Sequence, residues 1–103
     1  VNIQKMMKQV QEAQAKMAEM QGELARKTVE ATAGGGMVKV VCGGDGTLRS
    51  ITIDPEVVNA SEIDMLQDLI VAAVNEGKRK ASELVSQEMR KAAGSLGLPP
   101  GLV

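Results

Sequence analysis

Apolar residues recur over the first quarter of the chain at Ile3, Met6, Val10, Ala13, Met17, Met20 and Leu24, in steps of three and four that alternate strictly. This heptad spacing predicts an amphipathic helix over about residues 2–26, roughly 36 Å long at about 1.5 Å per residue. Lys5, Lys8, Glu12, Lys16, Glu19 and Glu23 fall on its opposite side. A free helix of this kind leaves its stripe in water, so the seam calls for a partner along its whole length.

From Lys27 the period changes. Thr28–Ala33 alternates, Gly34–Gly36 punctuates, and Met37–Cys42 is rich in β-branched residues. Gly43–Gly46 has the composition of a turn, and Thr47–Ile53 forms a third strand that Asp54-Pro55 closes, because proline cannot donate to a ladder. Connections this short make an antiparallel three-stranded meander. Ser61-Glu-Ile-Asp64 has the form of a capping box, with Ser61 at the N-cap and Asp64 reaching back. A second long helix follows. Its apolar face holds Ile63, Leu66, Ile70, Ala73, Val74, Gly77, Ala81, Leu84 and Val85, and its last turn carries Arg90 and Lys91. Gly77 in the middle of that face costs about 1 kcal/mol against alanine, which marks a close helix approach or a bend. The fold class is α+β, ordered α-β-β-β-α, with one domain over 1–94 and a flexible Gly/Pro tail over 95–103.

Composition narrows the chemistry. The chain of 103 residues has no Phe, Trp, Tyr or His. No ring is available to stack on an unpaired base, and the usual general base and Cys/His zinc ligands are missing. Cys42 is the sole cysteine and alternates with Val38 and Val40, so it reads as a small buried hydrophobe. A lone thiol and no leader-like segment point to a reducing, cytoplasmic setting without a membrane span. The net charge of −1 hides a pattern. Residues 1–27 hold five basic against three acidic side chains, 28–77 hold two against eight, and 78–103 hold five against two. Such a bipolar chain has basic ends free to meet an anion.

Lys78-Arg79-Lys80 is the densest cationic cluster. It reads either as a solvated helix face or, with Arg90, as a source of phosphate contacts. Gly34–Gly36 is no phosphate cradle, since no Gly-Lys-Ser/Thr follows and a strand comes next. Met6, Met7, Met17 and Met20 fit a packed seam, or else an adaptable protein-binding surface. Asp45, Asp54 and Glu56 belong to turns and helix entry. Nothing calls for a metal, a cofactor or a small-molecule substrate, and no nucleophile–base pair supports an enzyme.

Five stretches occur in one order: Ile3-Gln-Lys-Met-Met-Lys-Gln9; Ala33-Gly-Gly-Gly-Met-Val-Lys-Val40; Gly46-x-Leu48-x-x-Ile51-x-Ile53-Asp-Pro-Glu-Val57; Leu66-Gln-Asp-Leu-Ile-Val-Ala-Ala-Val-Asn75; and a Gly-Leu-Pro-Pro-Gly tail. Together they resemble the YbaB/EbfC proteins of bacterial nucleoids over essentially the whole chain. The resemblance implies a homodimer joined largely through its sheets, with helices projecting like the arms of a tweezer. It further implies binding to double-stranded DNA in the nucleoid, which the protein bends or compacts, and roles in gene regulation and DNA protection. The positions that match are the basic residues of the two helices: Lys5, Lys8 and Lys16, then Lys78, Arg79, Lys80, Arg90 and Lys91. The rival expectation is a non-enzymatic adaptor or chaperone-like protein that uses the Met-rich surface. Salt separates the two, because phosphate binding weakens steeply with ionic strength and apolar docking hardly responds.

Overall fold

The computed structural model describes residues 2–95. Helix α1 (Ile3–Arg26) leads into three strands, β1 (Thr28–Ala33), β2 (Val38–Gly43) and β3 (Leu48–Ile53), and helix α2 (Ile63–Ser95) closes the chain. The α-β-β-β-α order is the one expected. Of the Gly/Pro tail, Ser95 ends α2 and residues 96–103 lie outside the described residues.

The sheet is an antiparallel meander in the order β1-β2-β3. Gly34, Gly35 and Gly36 turn the first hairpin with φ of 64°, 67° and 94°, a left-handed run that side chains with a Cβ avoid. Alternation puts Val29, Ala31, Ala33, Val38, Val40, Cys42, Leu48, Ile51 and Ile53 on one face. Thr28, Glu30, Thr32, Lys39, Val41, Ser50 and Thr52 take the other, where Lys39 pairs with Glu30 at 3.3 Å. One face is for a helix and one is largely polar.

Helix α2 covers the apolar face over β1 and β2 and barely reaches β3. The core is made of Ala31, Val38, Val40, Cys42, Ala73 and Ala81, all buried. Small residues at Ala73, Gly77 and Ala81 let the helix backbone come close. A Cβ on Gly77 would lie 2.8 Å from Cys42 Sγ and 2.9 Å from Val40 Cγ2. Ile51, opposite Val40 on β3, stays 39% exposed because α2 does not extend over it.

Beyond the sheet the second half of α2 runs beside the end of α1, where Val85 and Met89 share a cleft with Gln21, Leu24 and Ala25. The 72 Å length of the molecule and the burial of Ala93 near the end of α2 fit an antiparallel arrangement, in which α1 returns toward its start as α2 advances. Leu24 is buried and Ala13, Met17 and Met20 are half-buried. Ile3, Met6, Met7 and Val10 lie beyond the last described turn of α2 and are 54–69% exposed. The expected seam is therefore packed over its second half only. The molecule is elongated, 72 × 21 × 16 Å.

The entry to α2 differs from the capping box expected at Ser61. Asn59 caps a short 3₁₀ turn (Ala60–Glu62), its side-chain oxygen accepting from the Ser61 N–H at 3.0 Å and the Ser61 hydroxyl at 2.9 Å. Ser61 therefore lies inside a turn that Asn59 caps, and α2 starts only at Ile63, so Ser61 is not its N-cap. The far end also differs, since α2 runs one turn past Arg90 and Lys91.

Candidate nucleic-acid interface

Helix α1 starts from an Asn2 cap, whose side chain accepts from the Lys5 N–H at 3.1 Å. Its exposed face carries Lys5, Lys8 and Lys16, and none of the three has an ion-pair partner among the described residues. Before Glu12 the only charges are Lys5 and Lys8, which makes the tip purely basic. From Ile3 to Gln11 that tip spans about 12 Å of helix. Three ammonium groups that form no ion pair among the described residues are free to exchange water and counterions for phosphate.

The triplet on α2 is differently placed. Lys78 donates from Nζ to the Gly46 carbonyl at 2.8 Å, tying the helix to the β2–β3 turn. Lys80 reaches the other way and donates to the Glu30 carbonyl on β1 at 3.1 Å. Arg79 points outward but is held by two acids: Glu76 accepts from Nε and Nη2 at 3.0 and 2.7 Å, and Glu83 from Nη1 at 2.8 Å. The hydrogen bonds to Arg79 hold the Glu76 carboxyl below its ordinary range, and the same bonds push the guanidinium pKa up. All three cations have partners within the fold, and phosphate would compete with them. Arg90 has no ion-pair partner among the described residues, and Lys91 lies 3.7 Å from Glu88.

Charge is segregated along the molecule. Asp54, Glu56, Glu62, Asp64 and Asp68 gather where the sheet ends, near the Gly34–Gly36 hairpin, to which Asp54 N–H is tied through the Met37 carbonyl and against which Leu69 packs. The tip of α1 is at the opposite end. Sequence reasoning passed over three cations at the junction between them. Arg26 and Lys27, counted only in the charge of the first segment, end α1 without ion pairs among the described residues, and Arg49 sits on β3 against the end of α1. No periodicity marks Arg49, because it is the extra residue of a β-bulge: Val41 pairs with Ser50 and Cys42 with Leu48.

These features define a class: small α+β proteins of α-β-β-β-α order that present cations on an extended helix. The YbaB/EbfC DNA-binding family model matches residues 1–96. A nucleoid-associated protein of Syntrophobacter fumaroxidans is 57% identical over 100 residues, covering 93% of this chain and 91% of that one. One of Acetivibrio thermocellus is 54% identical, covering 98% and 89%. The fold is matched by the crystal structure of the uncharacterized protein HP0035 from Helicobacter pylori, with a TM-score of 0.74 at 19% identity over 93% of this chain and 98% of that one. The chain belongs to the YbaB/EbfC DNA-binding family, which is not known as a family of enzymes. Among the described residues no helix is long and apolar enough to cross a membrane, and no cluster of potential metal ligands is found.

Proposed function

We propose that this protein is a homodimer that binds double-stranded DNA mainly through phosphate contacts and alters the path of the duplex, serving nucleoid organisation, gene regulation and DNA protection. The observation that carries this reading is the free lysine row, Lys5, Lys8 and Lys16, on a helix that projects beyond its neighbour. Phosphate contacts release condensed counterions and need no base edge, which suits flexible lysines on a helix surface. Arg90 and Lys91 extend the cationic surface, and Lys78, Arg79 and Lys80 contribute only as their internal partners are exchanged for phosphate. The acidic end of the molecule faces away from DNA in this reading.

Homodimer formation is supported by the bare side of β3. Ladder alternation, set by Gly44 N–H to the Lys27 carbonyl and Asp54 N–H to the Met37 carbonyl, turns the backbone groups of Ile51 and Ile53 outward at an open edge. Ile51 leaves apolar surface beside it. Sedimentation is expected to report twice 10.8 kDa. A pair of stiff helical arms holding one duplex at two places sets the direction the DNA takes between them.

The test is a mobility shift with duplex and single-stranded DNA across a salt series. Replacing Lys5, Lys8 and Lys16 with Gln is expected to weaken duplex binding and lower the slope of log affinity against log salt by about 0.9 per lost contact. An unchanged slope and affinity would refute the assignment to α1. A second reading has its own observation. Ile3, Met6, Met7, Val10 and Gln11 line an open, almost wholly apolar groove of about 440 Å³. A partner held there at high salt, with no duplex shift at low salt, would favour the adaptor.

A further inference from the structure

The β2–β3 turn, Gly43-Gly-Asp-Gly46, receives the end of α1, and several observations converge on it. The Gly44 N–H donates to the Lys27 carbonyl at 2.9 Å. A Cβ on Gly44 would fall on the Leu24 carbonyl, so only glycine lets the helix end seat there. The bulge turns Arg49 out of the strand alternation, and its Nη2 donates to the Ala25 carbonyl at 3.1 Å, one of the carbonyls an α-helix leaves without a partner at its end. Asp45 steadies the same guanidinium at 3.4 Å while its other oxygen accepts the Thr47 N–H at 3.0 Å. Gly43 makes room for this arrangement, since a Cβ there would lie 2.7 Å from Arg49 Nε. Lys78 fastens the turn to α2 through the Gly46 carbonyl. A cation at a helix C-terminus is also favoured by the helix dipole.

We infer that Arg49 is a positioning residue for DNA binding: held by Asp45 over Gly43, it grips the last turn of α1 and fixes the direction in which the cationic arm leaves the body. Direction matters because the first ten residues of α1 have no neighbouring helix in the described chain, so its packed second half and its last turn alone set where they go. Small rotation at the last turn becomes a large displacement at Lys5. Arg49 itself points at a carbonyl and a carboxylate and is not assigned a phosphate.

The inference rests on the proposed DNA-binding role of α1, and the experiment separates the two. Spin labels on Gln9→Cys and Thr32→Cys, in full-length chains diluted with unlabelled protein, report the angle between arm and sheet without any DNA. Arg49→Met, which keeps the stem and removes the donors, is expected to broaden the distance distribution, and Arg49→Lys, which restores a donor, to narrow it again. In the salt series, Arg49→Met is expected to weaken duplex binding about five-fold, the factor for an arm left about one-fifth of the time in its binding direction. Its salt slope is expected to equal that of the unmodified chain. An unchanged distribution in Arg49→Met overturns the inference whatever the DNA result. So does a slope lowered by about 0.9, which would make Arg49 a phosphate contact. A broadened distribution in a protein that never shifts DNA would instead remove the proposed function and leave the grip on α1 standing.

Discussion

Gly77→Ala sets two known effects against each other. In an unhindered helix the change stabilises by about 1 kcal/mol, because glycine gives up more backbone freedom than alanine on folding. Here the new methyl would sit 2.8 Å from Cys42 Sγ and 2.9 Å from Val40 Cγ2. Both neighbours are fully buried on the central strand, so neither side chain can swing into solvent. Either α2 lifts from the sheet or the sheet deforms, and overpacking of this kind costs about 1–3 kcal/mol. The balance predicts a net loss of about 1 kcal/mol, which lowers the melting temperature by roughly 4–8 °C in a domain this size. Thermal melting followed by circular dichroism reads it directly. Cys42→Ala removes the nearer obstacle, so the double variant is expected to lose less than the two single variants together, a coupling of at least about 0.5 kcal/mol. A Gly77→Ala protein that melts at or above the unmodified chain would refute the close approach.

Met17→Lys is expected to lower the melting temperature by placing an ammonium in the packed half of the α1 seam, whereas Met6→Lys, on the exposed half, leaves it nearly unchanged; equal effects would show that the seam is uniform. Acid sensitivity follows from Asp45 and Glu76. The Thr47 hydrogen bonds and the Arg49 charge depress Asp45, and Arg79 depresses Glu76, so both carboxyls hold their protons less tightly in the folded chain than in the unfolded one. Their contribution is present above the ordinary carboxylate range and is lost as pH falls through the depressed values. Asp45→Asn, which keeps the Thr47 bond and drops the charge, is expected to flatten the acid limb of a stability–pH curve.

Local pattern in the sequence reached the elements and much of the core. The heptad spacing of α1, the glycine hairpin and the alternation through Val38, Val40 and Cys42 each express a period that one element imposes on itself. What stayed hidden depends on distant pairings. Leu69, Ala73, Gly77, Ala81, Val85, Met89 and Ala93 recur every four residues, a spacing longer than the helical repeat, so the line they draw winds around α2 from the sheet side to the α1 side. A single averaged face holds Ala73, Gly77, Ala81 and Val85 and leaves out Leu69 at one end of the line and Met89 and Ala93 at the other. The seam of α1 gives no sign of where α2 stops covering it. Lys78, Arg79 and Lys80 form a dense cationic run on paper, yet two of them reach backbone carbonyls 32 and 50 residues away and the third is bracketed by Glu76 and Glu83. The Glu76–Arg79–Glu83 spacing was readable as helix-face pairing. The two long reaches were not, since no sequence pattern shows which carbonyls a fold leaves free.

Lys80 also bears on how far such a sheet can grow. By ladder alternation the Glu30 carbonyl faces the outer edge of β1, and the lysine ammonium already occupies it. A strand arriving on that side would meet a charge where it needs an acceptor, while among the described residues the opposite edge of the sheet carries no such guard. A sheet with one usable edge can be extended only once. Two copies meeting edge to edge by a two-fold operation would use up both free edges together, and a third copy would find none. The same lysine that pins α2 to β1 thus favours a closed pair over a fibre in a protein that exposes apolar surface on its other side.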